Sequence, residues 1–161
     1  MKSLTVILHN IRSTYNVGAI LRTCDGFGVD RVIFSGYTPY PGKGLPHEQE
    51  KLTKQIHKTA LGAEETVVWE YVDDIFETLE KLKSAGYEIL ALEQAEGSVS
   101  LDKFVPDASK NVLILGEEVC GIPADLLGKA DKILEIKMVG KKESFNVSVA
   151  AGIALFQLVA K

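Results

Sequence analysis

The stretch 133–161 does most to restrict what this chain can fold into. Residues 133–138 form a short run of β-branched and aliphatic residues, read as a strand. Gly140 interrupts it, since glycine takes φ > 0 freely and lets a ligand approach the backbone. After a charged loop come Ser144 and Asn146. Either can cap a helix by accepting a hydrogen bond from the unpaired N–H groups of its first turn. Val149, Ile153, Phe156 and Val159 then recur at helical spacing. Ala150, Ala151, Gly152 and Ala154 are unusually small, which implies that another backbone passes close to this helix. A strand, a loop and a core helix would suit any α/β protein. That description leaves the polar Ser-x-Asn at the helix start without a task.

The rest of the chain alternates between the same two periods. Residues 4–8 read as a buried strand, and a helix starting near Asn16 buries Val17, Ile20, Leu21, Cys24 and Phe27. Gly26 and Gly28 end it, and 31–35 is the next strand. Residues 36–46 are rich in glycine and proline and read as a mobile loop. Helix 48–61 carries a basic face of Lys51, Lys54 and Lys58, and 66–71 is a strand containing Trp69. Helix 75–85 pairs Glu77 with Lys81 at i,i+4 and stops at Gly86. Strand 87–92, a polar loop 93–98, strand 111–115 and a short helix opened by Pro123 lead into the tail. This alternation predicts an α/β fold, a mostly parallel sheet with helices on both faces. Ligands in such sheets sit at the carboxyl ends of strands, where the polar and glycine-bearing loops of this chain fall.

At 161 residues the chain reads as a single domain, 1–161. Its apolar runs are too short to span a membrane and it opens without a signal-peptide pattern, so a cytoplasmic protein is expected. Cys24 and Cys120 are far apart, and His9, His47 and His57 have no metal-ligand spacing, so no metal site is expected. The net charge of −4 is unevenly spread. Residues 1–60 hold eight Lys/Arg against four Asp/Glu, residues 61–136 six against seventeen, and residues 137–161 four against one. A fold that joins the two ends would therefore make a basic face on an acidic protein. No phosphate loop, Gly-x-Gly-x-x-Gly fingerprint or Gly-x-Ser-x-Gly elbow is present, and the first strand is followed by His9-Asn10-Ile11-Arg12 rather than acids.

Three segments stay unassigned: 10–23 with Asn10, Arg12, Asn16, Gly18 and Arg22; 115–122 with Gly116, Glu117 and Glu118; and 136–150 with Ser144, Asn146 and Ser148. Taken singly, Asn16 reads as a helix cap, Arg22 as a solvated helix arginine and Glu117 as a solvated turn residue. In this order and spacing they resemble the three motifs of the SpoU/TrmH family of SPOUT RNA 2′-O-methyltransferases. The resemblance runs from Leu4 to about Leu158 and includes Thr59-Ala-Leu-Gly-Ala-Glu64. It is to the minimal, catalytic-domain-only members. Lys137 stands where the family commonly has proline, and Phe145 where leucine is usual.

The resemblance implies a five- or six-stranded parallel sheet with a C-terminal deep trefoil knot, and a homodimer with the active site at the interface. It implies S-adenosylmethionine held by Leu92, Gly116, Ile136, Met138 and Phe145. It assigns catalysis to Arg22, Asn16, Glu118, Ser144 and Asn146, with Arg22 acting as a base or as an electrostatic anchor for the ribose hydroxyl. Arg12, Lys51, Lys54, Lys141 and Lys142 are expected to contact RNA phosphates. The substrate implied is tRNA first and rRNA second, with a recruiting protein left open. A non-catalytic RNA-binding module and an unrelated small-molecule or signalling domain are the competing readings.

Overall fold

The computed structural model describes residues 3–42 and 46–160. Residues 43–45 of the loop predicted to be mobile, and residues 1, 2 and 161 of the predicted domain, lie outside the described residues. The chain runs β1 (Ser3–His9), α1 (Thr14–Gly26), β2 (Arg31–Ser35), α2 (His47–Ala60), α3 (Ala63–Thr66) and β3 (Trp69–Val72). It continues α4 (Ile75–Ser84), β4 (Glu88–Leu92), β5 (Val99–Ser100), β6 (Lys110–Leu115), α5 (Ala124–Leu127), β7 (Lys132–Glu135) and α6 (Val147–Ala160). One parallel sheet holds the strands in the order β3-β2-β1-β6-β4-β7-β5. The predicted α/β class is found, with seven strands among the described residues where the resemblance implied five or six.

Apolar runs become central strands here because both faces of the sheet are covered. Val6 and Leu8 of β1, Phe34 of β2 and Leu113 and Leu115 of β6 pack with Ile20 and Leu21 of α1, Ile56 of α2 and Leu155 of α6. Their neighbours in sequence, Ile7, Ile33, Val112 and Ile114, point the other way and meet Leu79 and Leu82 of α4 and Leu126 of α5. Each fully buried Ile or Leu of this kind stabilises the fold by about 1.5–3 kcal/mol.

Several predicted boundaries shift, four of them for a clear physical reason. Helix α1 starts at Thr14, because Ser13 rather than Asn16 is its cap: Ser13 Oγ accepts from Asn16 N at 3.3 Å. Thr66 belongs to α3 rather than to a strand. The preceding turn takes positive φ at Leu61 and Gly62, and the buried Glu64 carboxylate accepts from Gly62 N at 3.0 Å and bonds His57 Nδ1. Burial opposes the charge of Glu64, but the His57 bond and the backbone N–H groups hold its pKa below the usual carboxylate value. Strand β7 ends at Glu135 rather than Met138, as the chain leaves the sheet. Pro123 is the cap of α5 and lies just outside its first turn.

Gly18 is fixed by packing. A Cβ there would lie 2.2 Å from Thr59 Oγ1 and 2.3 Å from the Ile56 carbonyl oxygen, so α1 crosses α2 only without a side chain. Thr59 Oγ1 also donates to the Tyr15 carbonyl at 2.9 Å, so the 59–64 segment seats the start of α1. In α6 the small Ala151 and Ala154 are buried with Leu155 and Leu158. A Cβ at Gly152 would meet only Thr23 Cγ2 at 3.9 Å, an ordinary contact, so no close approach requires a glycine at that residue. Val149, Ile153, Phe156 and Val159 lie exposed on the opposite side of α6. Among the described residues no helix is long and apolar enough to cross a membrane.

Candidate active site

β1 lies between β2 and β6: the chain leaves β1 toward β2 on one side and leaves β6 toward β7 on the other. That is the switch point at which open α/β sheets bind ligands. Three loops meet there, following β1, β6 and β7. The first places Asn10 at φ 59°, a left-handed conformation asparagine tolerates, and its Oδ1 accepts from Tyr37 N at 3.1 Å.

Glu118 joins the loops. Its Oε2 accepts from Arg12 N at 2.9 Å, and its Oε1 accepts from Ser13 N at 3.1 Å and Asn16 Nδ2 at 2.9 Å. Partial burial opposes the charge, but the Arg12 N–H, the Asn16 amide and the Ser13 N–H hold the carboxyl below its ordinary pKa. Asn16 Oδ1 in turn accepts from Asn146 Nδ2 at 3.2 Å. Asn146 Oδ1 accepts from Ser148 N at 2.8 Å and Ser148 Oγ at 2.6 Å, which makes Asn146 the cap of α6. One chain of hydrogen bonds thus connects all three motifs, from Glu118 through Asn16 to Asn146. Because Ser13 caps α1, the Asn16 side chain is free for this link.

Glu117, expected to be a solvated turn residue, is buried at 7% exposure. Its Oε2 accepts from Val119 N at 3.1 Å and from Cys120 N, and its Oε1 lies 3.5 Å from the Arg12 guanidinium. The Cys120 N–H first, with Val119 and Arg12, keeps its pKa below the usual value despite desolvation. Backbone bonds between Glu117 and Gly121, at 3.2 and 2.9 Å, close the turn. Glu93, in the polar loop 93–98, holds that turn from below: its Oε2 accepts from Ile122 N at 2.8 Å. A Cβ at Gly121 would fall 2.2 Å from that same oxygen. No spacing in the sequence marks Glu93, since its partner is a backbone group 29 residues away.

An open cavity lies against this turn. Of the residues expected to hold a cofactor, Leu92, Gly116, Ile136 and Phe145 line it, together with Leu115, Glu117, Glu118, Ser144 and Val147. Met138 is not among them. Gly116 has a second reason to be glycine: a Cβ would lie 2.6 Å from Gly121 C and Ile122 N, so a side chain there would break the turn before it filled the cavity.

Arg22 stands apart. It is exposed on α1, and among the described residues it makes no hydrogen bond or ion pair. Six residues from Asn16 place it roughly 9 Å along the helix and a third of a turn around it. Ser144 is exposed at the cavity wall. Among the expected RNA contacts, only Arg12 adjoins the Glu118 cluster. Lys51 and Lys54 are exposed on α2, with Lys54 3.2 Å from Glu50, and Lys141 and Lys142 are exposed in the loop after β7. Among the described residues no group of three or more His, Cys, Asp or Glu is placed to hold a metal ion.

A parallel α/β sheet with three sequence-distant loops tied together beside a cavity at its switch point defines a small-ligand or cofactor-binding domain. The model of the SpoU rRNA Methylase family matches residues 3–156, and the chain belongs to that family. A relative from Aquifex aeolicus, named tRNA (guanosine(18)-2′-O)-methyltransferase, is 31% identical over 156 residues, covering 97% of this chain and 68% of the relative. The crystal structure of the A. aeolicus TrmH/SpoU tRNA modifying enzyme superposes with a TM-score of 0.80 at 29% identity, covering 98% of this chain and 74% of that one. An AdoMet-bound rRNA methyltransferase from Sinorhizobium meliloti gives a TM-score of 0.85 at 25% identity, with 98% and 56% covered.

Proposed function

We propose that this chain is an enzyme that transfers a methyl group from S-adenosylmethionine to a ribose 2′-hydroxyl of RNA, with tRNA as the first substrate class and rRNA as the alternative. The observation that carries the reading is the hydrogen-bonded line Glu118–Asn16–Asn146, which assembles the three motifs beside one cavity. A module that only bound RNA would have no need of it. The names of the Aquifex and Sinorhizobium proteins support the substrate and the methyl donor.

The residues present suit that donor. Leu92, Ile136 and Phe145 offer apolar walls to an adenine ring, and Glu117 and Glu118 give the cavity an acidic lining that would suit a cationic sulfonium. When bound, S-adenosylmethionine supplies an activated methyl group. The chain's own task is to orient a weak nucleophile and help it lose a proton. Asn16, Ser144 and Asn146 orient the ribose, and Glu118 holds Asn16 and the β1 loop in place. Arg22 is an electrostatic anchor: a guanidinium stays protonated in proteins, and its charge beside the hydroxyl and a phosphate lowers the hydroxyl pKa. Arg12, Lys51, Lys54, Lys141 and Lys142 contact phosphates.

The reading includes a homodimer, a C-terminal trefoil knot and a cytoplasmic location. The exposed stripe Val149, Ile153, Phe156 and Val159 supports the dimer, since a two-fold axis would cover it with its own copy. The proposal is tested by methyl transfer to unmodified tRNA and rRNA, with Arg22→Ala as the control. Cofactor binding without transfer to either RNA by the wild type would reject it unless a recruiting protein restores transfer.

A further inference from the structure

A second cavity, about 430 Å³, opens between the 36–42 loop, α2 and β3, on the side of the Glu118 cluster away from the cofactor cavity. Its size is within the range of small-ligand pockets. Three tyrosines line it. Tyr40 and Tyr71 stack with centroids 4.7 Å apart, and Tyr40 also packs on Phe34 and Trp69, so these two rings form a fixed wall. Tyr37 is different: it is 60% exposed, and its backbone N–H is pinned to Asn10 Oδ1. Packing alone gives no reason for a large ring there.

Two polar groups complete the lining. Gln49 reaches Tyr40 Oη through Nε2 at 3.5 Å, while its Oε1 is buried without a hydrogen-bond partner among the described residues. A buried amide oxygen without a donor is destabilising unless something donates to it. Arg12 lines the rim, and its guanidinium is 3.5 Å from Glu117, which itself lines the cofactor cavity. The two cavities therefore share one ion pair as their common wall.

Aromatic faces, a planar amide whose oxygen has no partner among the described residues and an arginine at the mouth match the chemistry of an unpaired nucleobase and its phosphate. We infer that this cavity takes an unpaired base of the RNA strand, stacked on Tyr37 and hydrogen-bonded by Gln49, beside the nucleotide that is methylated. The inference rests on the RNA-methyltransferase reading and adds a base-reading subsite to it. Arg12, between the cavities, holds the phosphate that joins the two nucleotides.

The test uses the full chain and single-stranded RNA pentamers that carry 2-aminopurine or an abasic site at the central position. For the wild type, 2-aminopurine fluorescence is quenched on binding, and the abasic pentamer binds on the order of ten-fold more weakly or worse. Tyr37→Ala loses the quenching and the preference for a base, Tyr37→Trp keeps both, and Gln49→Leu weakens binding of the base-bearing pentamer only. Calorimetric affinity for S-adenosylmethionine is the same in all of them. Wild-type protein that binds S-adenosylmethionine but does not distinguish the abasic pentamer overturns the subsite and leaves the methyltransferase reading standing. Loss of S-adenosylmethionine binding in the wild type overturns both. Equal loss in Tyr37→Ala and Tyr37→Trp would show that the ring supports the loop rather than a base.

Discussion

Removing the Glu118 carboxylate tests the assembly of the site most sharply. Glu118→Ala deletes three charge-assisted hydrogen bonds, from Arg12 N, Ser13 N and Asn16 Nδ2. Bonds to a charged acceptor contribute about 1.5–3 kcal/mol each where water is excluded. Glu118 is partly exposed, so water replaces some of that, and about 1 kcal/mol each, roughly 3 kcal/mol together, is the expected loss. For a chain of this size each kcal/mol moves the melting temperature by about 2–4 °C, so a fall of roughly 6–12 °C should appear in thermal unfolding followed by circular dichroism. Glu118→Gln keeps one acceptor oxygen but turns a donor toward another donor, and should fall in between. Pairing Glu118→Ala with Asn16→Ala in a double-mutant cycle isolates their bond, and a coupling of about 0.5–1.5 kcal/mol is expected. A Glu118→Ala protein melting within about 2 °C of the wild type, with no coupling to Asn16, would refute the claim that this carboxylate ties the motifs together.

Gly18→Ala places a Cβ 2.3 Å from the Ile56 carbonyl and should cost about 1–3 kcal/mol in urea unfolding, whereas Gly26→Ala, where an added Cβ meets nothing within 4 Å, should be close to neutral. Because the folded-state pKa of Glu118 is depressed, its stabilisation is complete above the unfolded carboxylate pKa and is lost as pH falls through the folded value. The acid limb of a stability-against-pH curve should therefore be shallower in Glu118→Gln than in the wild type. Phe156→Asp puts a charge in the exposed α6 stripe and should convert a dimer to a monomer in light scattering, with unchanged far-ultraviolet circular dichroism.

Much of this was legible in the sequence, because the central strands are apolar on both faces and the motifs are local. Where tertiary context decides, the pattern gave no warning. β5 has two residues, one exposed, and exists only through its pairing with β7. Ile136 continues the apolar run of β7, yet it serves the cavity wall rather than the ladder, so the strand reads too long. Glu117 and Glu118 look alike in the sequence, but one folds back on its own turn and the other reaches across to α1. Glu93 was invisible because the partner that matters to the turn, Ile122 N, is a backbone group that only the fold brings near. Arg22 shows the opposite case: the motif marks it, and among the described residues of one chain it makes no hydrogen bond or ion pair.

The most direct measurement of the central claim is transfer of labelled methyl from S-adenosylmethionine to unmodified tRNA and rRNA, followed by nucleoside mass spectrometry. The account predicts a 2′-O-methylribose in one of these RNAs, absent with Arg22→Ala although that variant still binds the cofactor. Label on a base rather than a ribose, or transfer undiminished by Arg22→Ala, would contradict it.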